Sequence, residues 1–285
     1  MDAAPVGWYP DPYARFPYRW WDGSAWSPYA RAGEVQWDPI DDAPKAERQP
    51  GLPAVGVALI SFAIGAGASY LVLELLRSNG DPGGPLAELV LSEIPLWAAL
   101  VGACFYVSFR RGTRSFVSDF GLRWRPLDIG LGLAGSIAGR STESVAILPV
   151  VIFHPHFRAP DERVFHRFTI SPTGWLVLAL VVCVGAPIVE ELFFRGMLQT
   201  RLVGRYGAVA GVAITSVLFG AAHLIGWSGP VTLVYGLAIA GGGVALGTIR
   251  QITGRLGTSM VAHSLFNAQA LLALALVNSH GIKIG

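Results

Sequence analysis

Seven long apolar segments constrain the fold of this chain more than any other feature of its sequence. Each is near or above the length that crosses about 30 Å of hydrocarbon as a helix. Only 14% of the 285 residues are charged, against about 25% in a typical soluble domain. The sequence therefore predicts an all-α fold, a polytopic transmembrane helical bundle. The predicted spans are 52–76, 86–109, 129–153, 175–203, 208–224, 231–249 and 256–277.

The third and fifth spans fit this pattern least well, because Arg140 and Glu143 interrupt the third and the fifth is short. Arginines follow the second, fourth and sixth spans, whereas the loop after the fifth carries neither Lys nor Arg. The positive-inside rule then predicts a multi-pass protein of the cell membrane with a cytoplasmic amino terminus and an outside carboxyl terminus. The arginines of loop 154–170 do not fit this predicted orientation, although Asp161 and Glu162 lie beside them.

The first fifty residues differ in composition from the rest of the chain. They contain Gly7-Trp-Tyr-Pro-Asp-Pro12, Tyr18-Arg-Trp-Trp-Asp-Gly23 and then Trp26. Asp22-Gly23 is a strong hairpin-turn signal between aromatic residues that suit short strands. We expect a small, cytoplasmic, Trp-rich, β-hairpin-like domain over residues 1–30, a Pro-rich linker over 31–51, and a membrane domain over 52–280. The aromatic side chains form either a small core or a face for a protein partner.

The same stretch resembles the short Trp-rich domain of unknown function found at the amino end of many actinobacterial membrane proteins. The resemblance rests on the Gly-Trp-Tyr-x-Asp-Pro and Trp-Trp-Asp-Gly-x-x-Trp patterns at residues 7–12 and 20–26. It implies no activity.

Three charged residues lie inside the apolar fourth span. They are Glu190, Glu191 and Arg195. Placing a charge near the bilayer centre costs about 2.5–3.5 kcal/mol on insertion scales, so each of these charges is expected to be paired or to serve a function. Residues four apart share a helix face, so Glu191 is expected to pair with Arg195 and Glu190 to point toward a cavity between helices. The alternatives are an ion pair that only holds helices together, or a polar end of a span.

Two further spans carry polar residues that lipid would not tolerate. The fifth ends near His223, and the seventh carries His263 and Asn267 on one helix face. Isolated polar sites in a membrane would each need a partner, whereas together these side chains can satisfy one another and enclose a polar pocket.

The residue types indicate peptide hydrolysis by activated water. A glutamate held by histidine can act as a general base, and a second histidine with an asparagine amide can stabilise an oxyanion. No serine lies in a Gly-x-Ser-x-Gly turn, and Cys104 and Cys183 fall inside apolar spans as small core residues. We predict no cofactor, although a glutamate and two histidines are also a plausible zinc ligand set.

The small net charge of the chain limits the classes of partner that it is expected to bind. A formal charge of +2 without a basic run does not favour nucleic acid. The expected partners are the lipid bilayer and a protein or peptide substrate.

The three motifs Glu190-Glu-x-x-x-Arg195, Phe219-x-x-x-His223 and His263-x-x-x-Asn267, in this order on successive spans, resemble those of the CAAX-protease and bacteriocin-processing family. Its members are intramembrane glutamic endopeptidases, some of which trim prenylated proteins. The motif region covers residues 174–270.

This resemblance implies a role for each motif residue. Glu190 and His223 would activate water, His263 and Asn267 would form the oxyanion site, and Glu191 and Arg195 would order the motif. Two alternatives stay open: a non-catalytic membrane protein that acts in binding, immunity or transport, and a zinc-dependent membrane protease. The inverted internal repeats of many transporters are not visible in the sequence.

Overall fold

A computed structural model describes residues 5–38, 52–80, 83–153, 171–225 and 230–279. The chain divides into two compact units, Met1–Pro50 and Gly51–Gly285. The arginine-containing loop 154–170 lies outside the described residues, as does the predicted linker from residue 39 onward.

The amino-terminal unit contains an antiparallel sheet with the strand order β1-β2-β3-β4. The predicted hairpin turn is confirmed: Asp22 and Gly23 follow β2, the Asp22 N–H donates to the Ala25 carbonyl, and Gly23 has φ +97°. The sheet continues beyond residue 30, so the domain boundary predicted there lies within β3 and the first residues of the predicted linker form β4. The strands are β1 Gly7–Pro10, β2 Tyr18–Trp21, β3 Trp26–Ala32 and β4 Glu34–Trp37.

A buried arginine organises this small sheet. The Arg19 side chain is fully buried and its Nε donates to Asp11 at 2.8 Å, while Nη2 pairs with Asp38, one residue beyond β4. Burial alone would favour the neutral carboxyl, but hydrogen bonds from Arg19 and from the backbone N–H groups of Tyr13 and Phe16 outweigh it and lower the pKa of Asp11. The return of the chain to Asp38 explains why a fourth strand completes the unit.

Helices account for the second unit. Within the described residues they are α1 Leu52–Ser78, α2 Gly84–Arg111, α3 Phe116–Phe120, α4 Leu127–Phe153, α5 Pro172–Tyr206, α6 Ala208–Ala222, α7 Pro230–Thr253 and α8 Leu256–Ser279. Each predicted span coincides with one of the long helices or with α6.

Five of the described helices, namely α1, α2, α5, α7 and α8, are long and apolar enough to cross a membrane. The helix α6 is apolar but shorter, and α4 carries Arg140 and Glu143 in its middle. The protein is therefore a multi-pass helical membrane protein with a small β appendage, as predicted.

Small residues allow α6 and α7 to approach closely. A Cβ atom at Gly220 would overlap the Gly236 carbonyl oxygen, and one at Gly247 would lie 2.7 Å from Gln199 Oε1 on α5. The small-residue face of α7 is thus a packing surface. It places α7 directly behind the polar residues of α5.

Candidate active site

The helix α5 contains two π-helical segments, Val181–Gly185 and Glu191–Leu198. Its first turn is fixed by the Ser171 side chain, which accepts a hydrogen bond from the Gly174 N–H, and by Pro172 at its start. A π segment inserts an extra residue in a turn and recurs at functional sites. Glu190 is the last residue before the second segment, so the irregular backbone lies where the charged residues occur.

Glu191 joins two helices. Its Oε1 accepts a hydrogen bond from Arg195 Nη1 at 2.8 Å and lies 3.0 Å from Nδ1 of His263 on α8. The predicted pairing of Glu191 with Arg195 is present, and both side chains are fully buried. The contact with His263 adds a tie between α5 and α8.

The buried Arg195 guanidinium also contacts an aromatic ring and a backbone carbonyl. Its Cζ lies 4.1 Å from the centroid of the Phe219 ring, and Nη2 donates to the Gly243 carbonyl at 3.4 Å. A Cβ at position 243 would stand 3.3 Å from Phe219 and 3.3 Å from Ser216, so glycine eases the close approach of the α7 backbone. Cation–π and charge-assisted contacts together offset the cost of burying the guanidinium.

Glu190 points away from this pair, as predicted. Its Oε2 lies 3.9 Å from Nε2 of His223 and 3.9 Å from Nε2 of His263. Oε2 is buried and has no hydrogen-bond partner among the described residues. A gap of this size is too long for a direct hydrogen bond but suits a bridging water molecule.

The contacts of the two Nδ1 atoms indicate the tautomer of each neutral histidine ring. Nδ1 of His223 lies 2.8 Å from the Phe219 carbonyl, and Nδ1 of His263 contacts the Glu191 carboxylate. Both partners only accept hydrogen bonds, so each Nδ1 carries a proton, and in neutral imidazoles each Nε2 presents a lone pair. Both Nε2 atoms therefore face Glu190 Oε2, each at 3.9 Å.

Asn267 lies one turn beyond His263 on α8. Its Nδ2 donates to the Val182 carbonyl at 2.7 Å, within the first π segment of α5. The structure therefore brings the six predicted residues onto facing parts of α5, α6 and α8, with Asn267 bound to the α5 backbone rather than to Glu190.

Sequence reasoning missed three residues around this site. Glu93 on α2 and Tyr235 on α7 interact electrostatically with Glu190. Gln199 on α5 is buried and donates to the Gly247 carbonyl at 2.9 Å, one turn from the contact between Arg195 and α7. An acidic residue inside an apolar span was the available signal for Glu93.

Within the part of the chain that the structure describes, no group of three or more His, Cys, Asp or Glu side chains is arranged to hold a metal ion. A tetrahedral zinc site places its N and O ligands about 3.3–3.5 Å apart. The 3.9 Å separations around Glu190 are wider than this.

Comparison with protein families gives two matches. Residues 172–269 match the model of the type II CAAX prenyl endopeptidase Rce1-like family, which spans all six predicted site residues. Residues 6–48 match a family of unknown function, DUF2510. No curated protein and no solved structure matches the chain. The chain therefore combines a helical segment that is similar to the type II CAAX prenyl endopeptidase Rce1-like family with an amino-terminal segment that is similar to DUF2510.

Proposed function

We propose that this protein is an intramembrane endopeptidase in which Glu190 and His223 activate a water molecule for peptide-bond hydrolysis. The observation that carries the proposal is the position of Glu190 Oε2, which lies 3.9 Å from Nε2 of His223 and 3.9 Å from Nε2 of His263. A water molecule there would donate its O–H groups to acceptors, which makes its oxygen more nucleophilic.

The reaction balances with water as the only co-reactant. Glu190 takes a proton from the water as the oxygen forms a bond to the scissile carbonyl carbon, and the carbonyl electrons move onto its oxygen. When the tetrahedral intermediate collapses, the C=O bond re-forms and the C–N bond breaks. The protonated Glu190 returns its proton to the departing amine nitrogen, leaving a carboxylic acid and an amine.

His263 and Asn267 are the proposed oxyanion donors. The Glu191 carboxylate at Nδ1 orients the His263 ring, and in the imidazolium form the Nε2–H would donate to the developing negative charge. The Asn267 amide carries two N–H groups, one of which is used on the Val182 carbonyl. Glu191 and Arg195 would act by holding α5 and His263 in place.

The substrate we propose is a membrane-associated protein or peptide. An apolar pocket of about 220 Å³ lies between α1, α5 and α6, and its wall includes Phe193, Phe194, Ala221 and Ala222. Ala222 directly precedes His223, so an apolar group occupying this pocket would lie close to the reacting centre. Such a group can be a hydrophobic side chain or a lipid chain attached to the substrate.

The test is cleavage by the purified protein in detergent. A proteome-derived peptide library and an S-farnesylated CAAX-type peptide would be incubated with it, and new termini would be identified by mass spectrometry. We expect cleavage that persists in 1,10-phenanthroline, because the proposed nucleophile is activated by Glu190 and His223. Cleavage that the chelator abolishes and zinc restores would support the zinc-dependent alternative.

A further inference from the structure

Two charged residues in the middle of α4, Arg140 and Glu143, belong to none of the three motifs. The remaining charged residue of this helix, Asp128, lies in its first turn. The two side chains are partly buried and form an ion pair, with Arg140 Nη1 2.5 Å from Glu143 Oε2. Charges inside the spans of a membrane protein are costly, and they commonly face the interior of the bundle and serve its function. What the guanidinium contacts therefore indicates what the pair is for.

The Arg140 guanidinium lies against α8. Its Cζ is 3.7 Å from the centroid of the Phe266 ring, and its Nη2 donates a hydrogen bond to the Phe266 carbonyl. A guanidinium is planar and carries several N–H donors, so one group can contact an aromatic ring and donate to two acceptors. Arg140 thus connects Glu143 on its own helix to both the ring and the backbone of one residue of α8.

The Phe266 ring also contacts the backbones of α4 and α7. A Cβ atom at Gly139 would lie 3.0 Å from Phe266 Cδ2, and one at Gly242 would lie 3.1 Å from Cζ. Glycine at both positions lets the two helices approach the ring closely. Two helices and a cation therefore contact the same side chain, which limits how far this turn of α8 can rotate or slide.

Phe266 directly precedes Asn267, one of the two proposed oxyanion donors. The carbonyl that Arg140 binds belongs to the planar peptide group that joins these two residues, so holding it restrains the backbone from which Asn267 projects. The Asn267 amide in turn donates to the Val182 carbonyl of α5 at 2.7 Å. Misplacement of a reacting group by about 1 Å can cost about 10²-fold in rate. The orientation of this turn of α8 therefore matters for the placement of the amide.

We propose that Arg140 is a positioning residue for the reaction, because it sets the orientation of the Phe266–Asn267 turn and thereby places the Asn267 amide beside the developing oxyanion. Glu143 holds the guanidinium in place. This inference rests on the proposed peptidase function. Arg140 acts through α8 and does not touch the reacting atoms, so its loss slows the chemical step more than it weakens peptide binding.

The experiment measures kcat and KM of full-length Arg140→Lys in detergent, on the library peptide that the natural protein cleaves fastest. Lysine keeps a positive charge beside Glu143, but its compact ammonium lacks the planar fork that contacts the Phe266 ring and both acceptors. We expect kcat per folded molecule to fall about tenfold, while KM changes less than about twofold. Ser136→Ala is the matched control. It removes another contact between α4 and α8, the hydrogen bond from Gln269 at 3.0 Å, and should leave kcat unchanged.

A double variant shows through which residue Arg140 acts. Asn267→Ala removes the proposed oxyanion donor, and an excess of enzyme over peptide keeps slow variants measurable. Adding Arg140→Lys to Asn267→Ala should lower the rate by less than about twofold, because residues that act as a unit are not additive. A further loss as large as that of Arg140→Lys alone would overturn the inference. An unchanged kcat of Arg140→Lys, or a loss that matches its loss of folded protein, would also overturn it.

Two further variants keep the inference testable on its own. If Arg140→Lys does not fold, Arg140→Met combined with Glu143→Met removes both charges and leaves neither unpaired; it should show the same fall in kcat, and an unchanged kcat would contradict the proposal. Full activity of Glu190→Gln would remove the peptidase mechanism itself. An inactive Glu190→Gln together with an unchanged kcat of Arg140→Lys would remove only the role of Arg140.

Discussion

Nδ1 of His263 lies 3.0 Å from Oε1 of Glu191, although 72 residues separate the two in the chain. The same oxygen accepts a hydrogen bond from Arg195 at 2.8 Å. One carboxylate therefore satisfies a buried guanidinium and orients an imidazole whose other nitrogen faces Glu190. Stability and geometry of the site depend on the same atom.

Replacing Glu191 by Gln should lower both the stability of the protein and its rate of peptide cleavage. The substitution keeps the shape but leaves Arg195 as an uncompensated charge in the bundle, and breaking a buried pair in this way costs about 3–5 kcal/mol. Thermal unfolding in detergent measures the loss. Glu74→Gln, on an exposed part of α1, is the control and should change the stability by less than about 0.5 kcal/mol. Equal stability of the two variants would show that the Glu191–Arg195 pair does not hold the bundle.

Gly220→Ala should destabilise the bundle, whereas Gly102→Ala should not. A Cβ at Gly220 would overlap the Gly236 carbonyl oxygen and lie 2.9 Å from the Ala240 Cβ, so α6 and α7 would have to separate. Overpacking of this kind costs about 1–3 kcal/mol. Gly102 has no described atom within 4 Å of the same position, and alanine there gains helix propensity. The unfolding temperatures of both variants in detergent test the difference, and a neutral Gly220→Ala would contradict the close packing.

The amino-terminal unit should lose stability in acid. Because hydrogen bonds lower the pKa of Asp11 below its ordinary value of 3.8, the ionised group stabilises the fold above that value. This stabilisation is lost as the pH falls from about 4 through the lowered pKa. Tryptophan fluorescence of a fragment of residues 1–50 under urea, from pH 7 to pH 2, measures it. Asp11→Asn should be less stable at pH 7 and approach the unsubstituted fragment in acid, and a constant difference would contradict the role of Asp11.

The helices and the local pairings could be predicted from the sequence. Runs of apolar residues mark the spans whatever their neighbours are, and the four-residue spacing of Glu191 and Arg195 places them on one face. The hairpin at Asp22-Gly23 is equally local. These features depend on the backbone geometry of a single segment.

Contacts between distant segments could not be predicted. The proximity of Glu93 to Glu190 depends on how α2 packs on Gly185, and spacing along either helix carries no information about it. The strand Glu34–Trp37 was missed because its polar and proline-flanked sequence is typical of a linker. It forms where Asp38 returns to the buried Arg19, a contact over 19 residues.

The arginine-rich loops lead to a separate prediction, which concerns the orientation of the protein in the membrane. An amino-terminal fluorescent fusion should fluoresce in the cytoplasm, and a phosphatase that is active only outside should work when fused after residue 285. An inactive phosphatase together with a fluorescent carboxyl-terminal fusion would place both ends in the cytoplasm and change the number of spans by one.

Peptide cleavage by Glu190→Gln tests the catalytic proposal most directly. The amide keeps the size of the side chain but cannot take a proton from water, and loss of a general base typically lowers turnover about 10²–10⁴-fold. Purified protein in detergent would be assayed on the peptide library, with thermal stability recorded beside activity and Glu74→Gln, on an exposed part of α1, as the control. We predict background cleavage by Glu190→Gln at unchanged stability, and near-normal cleavage by Glu74→Gln. Full activity of a folded Glu190→Gln would contradict the mechanism and favour a binding or transport function for the polar site.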